Sequence, residues 1–268
     1  MHAGSKDIQE GVAELNRIFD DPATRDKPLK EREPITKILE ETLYEIIDIA
    51  DPGIFVEVGA FEGSFSKQMK AKYPDRPVIA LEANPRVYAH FFEDLNAADV
   101  SYHNLAASSS NGPMKMYIPT VIAGKEMPKI GRMGSLLQVG LRDSETTEVM
   151  VSAVTLDQFL AGKDLKGGCF WIDVEGALDQ VLAGARNALK DAAIVYAEIE
   201  IAPVWKEQAL SQSVIDTLAT IGLELAARDC QKWFQYNALF LNKSLQEDPR
   251  VQDLLTRFYE NGLSIFKS

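Results

Sequence analysis

The chain has 268 residues, of which 46% are hydrophobic and 25% are charged, so its length suits one globular domain with an extension or two small domains. Its formal net charge of −12 argues against a nucleic-acid partner, because a phosphate backbone is bound by clustered Lys and Arg. The two cysteines, Cys169 and Cys230, lack a metal-binding spacing, and we expect reduced thiols in a cytoplasmic protein.

The first 50 residues predict a helical extension ahead of the main domain. The start of the chain lacks the apolar core of a signal peptide, and no segment is long and apolar enough to span a membrane. Apolar residues recur at helical spacing over 7–19 and 34–50, and the charged, proline-bearing segment 20–34 between them predicts a loop. We expect the helix over 34–50 to pack on an edge of the domain rather than to cover a ligand crevice.

A glycine turn after the first predicted strand organises the fold. Residues 54–58 form a short apolar run typical of a buried parallel strand. Gly59 and Gly63 bracket the turn that follows, and Ser64 is a candidate N-cap for the next helix. Residues 78–81 predict the adjacent strand, so this segment is expected to be the first βαβ unit of an open sheet.

Acids around this turn indicate which nucleotide the unit binds. The motif from Glu57 to Gly63 lacks the third glycine of a dinucleotide fingerprint, and its acids Glu57 and Glu62 would repel a pyrophosphate. S-adenosylmethionine (SAM) instead carries an ammonium group, and its two ribose hydroxyls can donate to Glu82 at the end of the second strand. We therefore expect SAM as the cofactor, against the alternative that the glycines only make a strand-to-helix turn.

The remainder of the chain alternates predicted strands and helices. The expected helices cover 85–96, 156–160, 176–189 and 203–221, and the expected strands cover 100–105, 114–118, 149–156, 167–174, 192–201, 223–227 and 236–241. Segment 119–148 is long, irregular and rich in glycine, which is typical of a lid or a binding loop. The chain thus divides into an extension (1–50), a main domain (51–243) and a C-terminal helix (244–268). A homo-oligomer is possible, with the C-terminal helix as the candidate contact with a second subunit.

Five sequence blocks carry a resemblance to a known family. They are Val56-Glu-Val-Gly-Ala-x-x-Gly-x-Phe65, Leu81-Glu-Ala-Asn-Pro85, Gly134-Ser-Leu136, Val154-Thr-Leu-Asp157, and Ile172-Asp-Val-Glu-Gly176 with Val181-Leu-x-Gly-Ala185. In this order, over about 54–241, they resemble the FkbM family of SAM-dependent methyltransferases. The resemblance implies a class I, Rossmann-like α/β fold with helices on both faces of a seven-stranded, mostly parallel sheet whose last strand is antiparallel. It also implies O-methylation of a hydroxyl on a sugar, polyketide or similar small metabolite.

Three positions depart from the family pattern. The family usually has Asp where Glu57 stands, Asn where Phe61 stands, and a second Glu where Leu178 stands, an acid that Asp179 could replace. These departures keep open an alternative from another class of protein, a SAM-binding module that no longer catalyses and serves as an assembly or partner-binding element.

The expected cofactor site combines the glycine turn with the ends of the neighbouring strands. We expect these residues to bind SAM: Glu57, Gly59, Ala60, Phe61, Gly63, Ser64, Phe65, Glu82, Ala83, Asn84, Ala106, Ala107 and Asp173.

Catalysis requires an aligned acceptor oxygen and a group that removes its proton. Positions at strand carboxyl ends nominate Asp173 and Glu175, then Glu198 and Glu200. The alternative role of Asp173 is to cap the helix that follows it. His103 is the rival base because its ordinary pKa lies near neutrality, although a packed core histidine is the commoner role. The four acids could also gather a divalent cation, but no spacing demands one and we expect no metal.

Overall fold

The computed structural model describes residues 5–25, 27–230, 232 and 234–267, and it contains two sheets among helices. The helices are α1 (Ser5–Asp20), α2 (Pro22–Arg25), α3 (Leu29–Ala50), α4 (Ser64–Lys72), α5 (Pro85–Ala97), α6 (Leu156–Phe159), α7 (Leu178–Ala183), α8 (Arg186–Lys190), α9 (Ser211–Ala219), α10 (Lys243–Gln246) and α11 (Pro249–Lys267). The strands are β1 (Phe55–Val58), β2 (Val78–Leu81), β3 (Ser101–His103), β4 (Ala106–Ala107), β5 (Gly112–Ile122), β6 (Lys125–Glu126), β7 (Glu145–Val154), β8 (Cys169–Ile172), β9 (Ile194–Glu200), β10 (Leu223–Arg228) and β11 (Gln235–Asn242).

The main sheet has seven strands in the order β10-β11-β9-β8-β1-β2-β3. Strand β11 runs opposite to the other six strands, and β1 lies between β8 and β2 with Phe55 opposite both Cys169 and Val78. This arrangement confirms the expected Rossmann-like sheet. It also places the carboxyl ends of β1, β2 and β8 side by side, which is where open α/β sheets bind ligands.

Two apolar cores cover the faces of this sheet. One lies under α1, α3, α4 and α11, and the other lies under α6, α7, α8 and α9. On α3, Leu39, Leu43 and Ile47 are fully buried at helical spacing, and each contributes about 1.5–3 kcal/mol by leaving water. Because both faces are covered, β1 and β2 are buried along their whole length, which explains why their sequences are apolar apart from Glu57.

The extension is more helical than its sequence suggests. The expected loop over 20–34 contains α2 and the first turn of α3, and Pro34 lies inside α3 rather than at its start. The charged sequence is helical here because Arg32 is buried, with its Nε donating to the Lys27 carbonyl (3.0 Å) and its Nη1 to the Cys230 carbonyl (2.9 Å). Tertiary anchoring therefore overrides the loop signal of the local sequence.

Helix α1 is tied to the sheet by one buried arginine. Arg228 on β10 donates to Asn16 and pairs with Asp20 at 3.0 Å, while its guanidinium lies over the rings of Phe19 and Tyr236. Residues 1–4, which include the start examined for a targeting signal, lie outside the described residues. Among the helices that the structure describes, none is long and apolar enough to cross a bilayer.

A second sheet, in the order β4-β7-β5-β6, stands beside the carboxyl ends of the main sheet. Its long hairpin extends into the segment expected to be irregular, since β5 continues to Ile122 and β7 begins at Glu145. The strand signal was weak because much of β7 is exposed and polar, and because Pro119 adjoins a register shift in β5. The irregular segment is therefore shorter than the expected 119–148 and covers about 127–144.

The structure also divides two predicted helices. The helix expected over 176–189 is split into α7 and α8 at Gly184, where an added Cβ would lie 2.1 Å from the Ser108 carbonyl oxygen. The helix expected over 244–268 is split into α10 and α11 near Asp248.

Candidate active site

The glycine turn brings the ends of β1 and β8 into contact. Gly59 has φ of 80°, and an added Cβ would lie 1.7 Å from the Asp173 carbonyl oxygen, so only glycine fits. The N–H groups of Gly59 and Ala60 both donate to the Leu81 carbonyl at 2.9 Å. These contacts fix the backbone of the turn beside Asp173 and beside the end of β2.

The helix after the turn begins differently from the prediction. Gly63, with φ of 62°, occupies the N-cap position of α4, and no side chain caps the helix. Ser64 is the first helical residue, and its hydroxyl donates to Glu62 at 3.1 Å instead. The predicted N-cap role of Ser64 is therefore wrong, although Ser64 and Phe65 both lie at the cavity described below.

Two buried carboxylates, Glu57 and Glu82, accept backbone N–H groups in and next to the glycine turn. Glu57 accepts the Ser66 N–H at 2.9 Å. Glu82 accepts the Phe61 N–H on Oε2 (2.9 Å) and the Asn84 N–H on Oε1 (2.7 Å), and the Asn84 side chain caps α5. Burial raises the pKa of each of these two acids to about 7. Each oxygen of Glu82 keeps one free lone pair, so this carboxylate can still accept two ligand hydroxyls.

A narrow cavity of about 50 Å³ is lined by Glu82 at the end of β2 and by Met116 of the hairpin. Its lining comprises Val58, Gly59, Phe61, Glu82, Ala83, Asn84, Leu105, Ala106, Ala107, Met116, Gly131, Arg132, Gly134, Leu136, Asp173, Val174, Glu175 and Ala177. It thus has an acid that fits a ribose at one place and small or apolar side chains that fit a flat base elsewhere. This chemistry suits the adenosine part of SAM.

A wide cavity of about 470 Å³ lies on the other side of the turn. Its lining comprises Glu40, Tyr44, Glu57, Gly59, Ala60, Phe61, Glu62, Ser64, Phe65, Arg132, Met133, Trp171, Asp173, Glu175, Glu198, Lys232 and Asn237. The two cavities share Gly59, Phe61, Arg132, Asp173 and Glu175. They therefore meet at the carboxyl end of β8, and these five shared residues form the junction of the two cavities.

Helix α3 forms part of the wall of the wide cavity through Glu40 and Tyr44. The Thr36 hydroxyl, one turn earlier, donates to Asp229 at 2.7 Å, and Asp229 also accepts the Asn237 side-chain amide at 2.8 Å. These bonds hold α3 against β11 beside the cavity. The expectation that this helix only packs on an edge is wrong, because two of its residues line the cavity. The helical pattern of its sequence did not reveal which residues face the carboxyl ends of the strands.

Three acids converge in the wide cavity. Carboxylate oxygens of Asp173, Glu175 and Glu198 all lie within 4.8 Å of one another. Burial raises the pKa of Asp173, and burial together with the charge of Asp173 raises the pKa of Glu175 to about 8. The pKa of Glu198 is also raised well above its ordinary value, first by burial and then by the other two acids, and the charge of Lys232 opposes these shifts.

The helix-cap alternative for Asp173 is wrong. Helix α7 starts at Leu178, its N-cap position is Ala177, and no side chain caps it. Asp173 instead follows β8 directly, its N–H donates to the Val58 carbonyl at 2.9 Å, and its side chain lines both cavities. The position of this acid is consistent with contact with a ligand.

Other nominated residues lie away from the cavities. The His103 ring packs on Phe159 with centroids 5.0 Å apart, and its Nε2 lies 2.8 Å from the Ser101 hydroxyl. Burial lowers its pKa, and it is not part of either cavity lining. Glu200 is buried outside both linings and accepts the Gly176 N–H. The structure therefore does not bring these two residues to the junction.

Leu178, where the family usually has a second acid, lies outside both cavity linings. Leu178 is buried in the core beneath α7. Asp179 lines a separate small cavity with Leu182 and Arg186, so it does not substitute for the missing acid in the wide cavity.

The irregular segment 127–144 of the hairpin, called the hairpin connection, contacts the junction and the glycine turn through two residues. The Ser135 hydroxyl donates to the Glu175 carbonyl at 2.6 Å, within a segment whose backbone pairs with Tyr117. Arg132 pairs with Glu62 at 3.0 Å and lies over the Phe61 ring, 4.9 Å from its centroid. These contacts explain why the Gly134-Ser-Leu136 block belongs with the glycine turn despite its distance in sequence.

Sequence reasoning missed several residues of the lining. Met116 lines the narrow cavity, while Tyr44, Trp171 and Lys232 line the wide one. Trp171 is the only one with a local signal, because it lies two residues before Asp173 and so on the same side of β8. The others come from elements that approach the junction only through the tertiary fold.

Comparison with known proteins agrees with this geometry. The model of the methyltransferase FkbM domain matches residues 54–234. The chain belongs to the FkbM methyltransferase family. This membership confirms the family expected from the sequence. The match ends just before β11 and excludes the helical extension.

Two curated relatives share part of this FkbM domain. "Methyltransferase 1" of Beauveria bassiana (strain ARSEF 2860) is 26% identical over 160 residues, which cover 55% of this chain and 64% of that protein. "2-O-methyltransferase NoeI" of Sinorhizobium fredii (strain NBRC 101917 / NGR234) is 22% identical over 201 residues, which cover 72% of this chain and 82% of that protein. The chain thus spans less than two thirds of the fungal relative.

Solved structures give weaker likenesses. A precorrin-6y C5,15-methyltransferase from Geobacter metallireducens GS-15 matches with a TM-score of 0.40 and 12% identity, covering 72% of this chain and 81% of its own. A protein from Pyrococcus horikoshii OT3 matches with a TM-score of 0.41 and 11% identity, covering 85% and 99%. The family model shows the family, and the strand order of the main sheet agrees with it.

Proposed function

We propose that this FkbM methyltransferase transfers the methyl group of SAM to a hydroxyl oxygen of a small metabolite or a sugar. The observation that carries the proposal is the junction of the two cavities. The lining of the narrow cavity has groups that suit adenosine, the wide cavity has room for a small acceptor, and Asp173 lines both. The name of the 2-O-methyltransferase relative supports oxygen as the acceptor atom.

The residues around the narrow cavity are proposed to bind the cofactor. Glu82 would accept the ribose hydroxyls, and Ala106, Ala107, Met116 and Leu136 would enclose the base. The ammonium group of the methionine part would lie near the buried acid Glu57, on the same side of the turn as the wide cavity. When bound, SAM supplies an electrophilic methyl carbon, and its sulfur keeps the electron pair of the broken carbon–sulfur bond.

The proposed base is Asp173. An acceptor hydroxyl at the junction gives its proton to this carboxylate while its oxygen forms the new bond to the methyl carbon. Burial raises the pKa of Asp173, which makes its ionised form a stronger base than an exposed aspartate. Glu175 and Glu198 lie beside it and are the remaining candidates for this role.

An isosteric substitution tests the proposal. Purified protein is incubated with isotope-labelled SAM and a panel of hydroxylated metabolites and sugars, and labelled products and S-adenosylhomocysteine are measured. Asp173→Asn should lower turnover by about 10²-fold or more, the scale of a lost general base, while folding is retained. Asp179→Asn, which removes the same charge outside both cavities, is the matched control.

Two results would contradict the proposal at different levels. Near-normal turnover of Asp173→Asn would move the base to Glu175 or Glu198. Tight SAM binding without transfer to any hydroxyl would instead favour the alternative of a module that binds SAM but no longer catalyses.

A further inference from the structure

The wide cavity contains many more acids than a neutral acceptor needs. Six carboxylates line it, and the only cations in its described lining are Arg132 and Lys232. The six are Glu40, Glu57, Glu62, Asp173, Glu175 and Glu198. Arg132 is already paired with Glu62 at 3.0 Å, and Lys232 can offset one further acid. Bound SAM adds a single net positive charge, so acids still outnumber cations in the described lining when the cofactor is present.

Three of these acids lie together next to the junction. Oxygens of Asp173, Glu175 and Glu198 lie within 4.8 Å of one another. An ammonium group donates hydrogen bonds of about 2.8 Å in tetrahedral directions, which places its acceptors about 4.6 Å apart. The spacing of the three oxygens is therefore compatible with an amine and a neighbouring hydroxyl bound between them.

A buried oxygen at this cluster has no protein partner among the described residues. Glu198 Oε1 is fully buried and accepts no hydrogen bond there, while Oε2 of the same carboxylate accepts one from the Gln235 side chain. A buried carboxylate oxygen without a donor is costly, so a donor from a ligand is the expected partner. This observation is independent of the number of acids in the cavity.

We propose that the acceptor is a small vicinal amino alcohol, such as an amino sugar with a free amine. In this arrangement Glu175 and Glu198 bind the protonated amine, and Asp173 receives the proton of the neighbouring hydroxyl. The inference rests on the proposed function and specifies its substrate class. Tyr44 and Trp171, which line the same cavity, provide aromatic surface for the carbon skeleton.

The bound amine also determines which atom is methylated. A protonated amine that donates to two carboxylates has no free electron pair, so it cannot attack the methyl carbon. The hydroxyl beside it keeps its lone pairs and loses its proton to Asp173. The product is therefore an O-methyl ether that retains the amine.

Matched acceptors test the proposal with the full-length protein and SAM. Sugars and cyclitols are supplied as sets with a free amine, an N-acetylated amine or a hydroxyl in its place, beginning with glucosamine, N-acetylglucosamine and glucose. We expect kcat/KM to be about 10- to 100-fold higher for the free amine, and the methyl group to be found on oxygen by NMR. Glu198→Gln should reduce this ratio to within a few-fold, and Asp179→Asn should leave it unchanged.

Each remaining outcome has a defined meaning. Equal transfer to the amine, N-acetyl and hydroxyl members overturns the amine site while O-methylation stands. Transfer to none of the panel contradicts the proposed function itself. An N-methyl product, or activity that EDTA abolishes and Mg²⁺ restores, would also overturn the inference, the latter by assigning the three acids to a divalent cation.

Discussion

Replacing Glu82 with glutamine tests the proposed ribose contact while keeping the size of the side chain. The carboxylate already accepts the N–H groups of Phe61 and Asn84, at 2.9 and 2.7 Å. An amide has one oxygen, so its NH₂ group must face one of these two donors. We expect a loss of folding stability of about 1–3 kcal/mol from the backbone group left without an acceptor.

The effect on binding follows from the two hydroxyls that lose an ionised acceptor. Hydrogen bonds to a charged group contribute about 1.5–3 kcal/mol, so Kd should rise roughly 10- to 150-fold. Isothermal titration should show the same rise for SAM and for S-adenosylhomocysteine, because both carry the same ribose. Glu93→Gln, an exposed change on α5, is the control. A folded Glu82→Gln protein with unchanged affinity for both ligands would refute the ribose assignment.

The dependence of stability and of SAM affinity on pH gives a second test of the Glu82 carboxylate. Burial raises the pKa of Glu57 and Glu82 to about 7, whereas unfolded glutamates titrate near 4.5. Between these values the folded protein without ligand binds more protons, so their stabilising contribution is complete below pH 4.5 and is lost as the pH rises to about 7. Affinity for SAM should change in the opposite direction, because the ionised form accepts the ribose. Denaturation and titration from pH 5 to 8 measure both trends, and parallel trends would contradict the assignment.

Two further predictions concern the turn and the hairpin connection. Gly59→Ala should destabilise the protein by about 2 kcal/mol or more, because its Cβ would meet the Asp173 carbonyl. Gly124→Ala is the control, since Gly124 has φ of 77° but lies in open space, and it should cost about 1 kcal/mol. Equal losses of stability in denaturant titrations would contradict this prediction. Hydrogen exchange of residues 127–144 should slow when SAM and an acceptor bind, and Ser135→Ala should reverse much of that protection by removing the bond to Glu175. Equal exchange with and without ligands would leave this segment a surface insertion.

The centre of the main sheet was predictable because β1, β2 and β8 are short, mostly apolar runs followed at once by glycine or an acid. This pattern located the glycine turn, Glu82 and Asp173 at neighbouring strand ends, and the observed sheet order agrees with it. The helix break at Gly184 was not predictable, because it depends on the Ser108 carbonyl, which is distant in sequence. The N-cap at Gly63 rather than Ser64 likewise depends on the local φ angle.

The wide cavity was only partly predictable. Strand ends revealed Asp173, Glu175 and Glu198, but not that their oxygens share one cluster. Glu40 is part of an ordinary helical pattern, and Lys232 lies between the last two strands, so only tertiary packing brings them to the site. Sequence reasoning therefore located the proposed cofactor site more fully than the acceptor site.

A crystal structure with S-adenosylhomocysteine tests the proposed active site most directly. The ribose hydroxyls should contact Glu82, the adenine should lie beside Ala107 and Leu136, and the sulfur should face Asp173 where the two cavities meet. A ligand bound with its sulfur directed away from Asp173, or with its ribose remote from Glu82, would contradict the proposal that methyl transfer occurs at this junction.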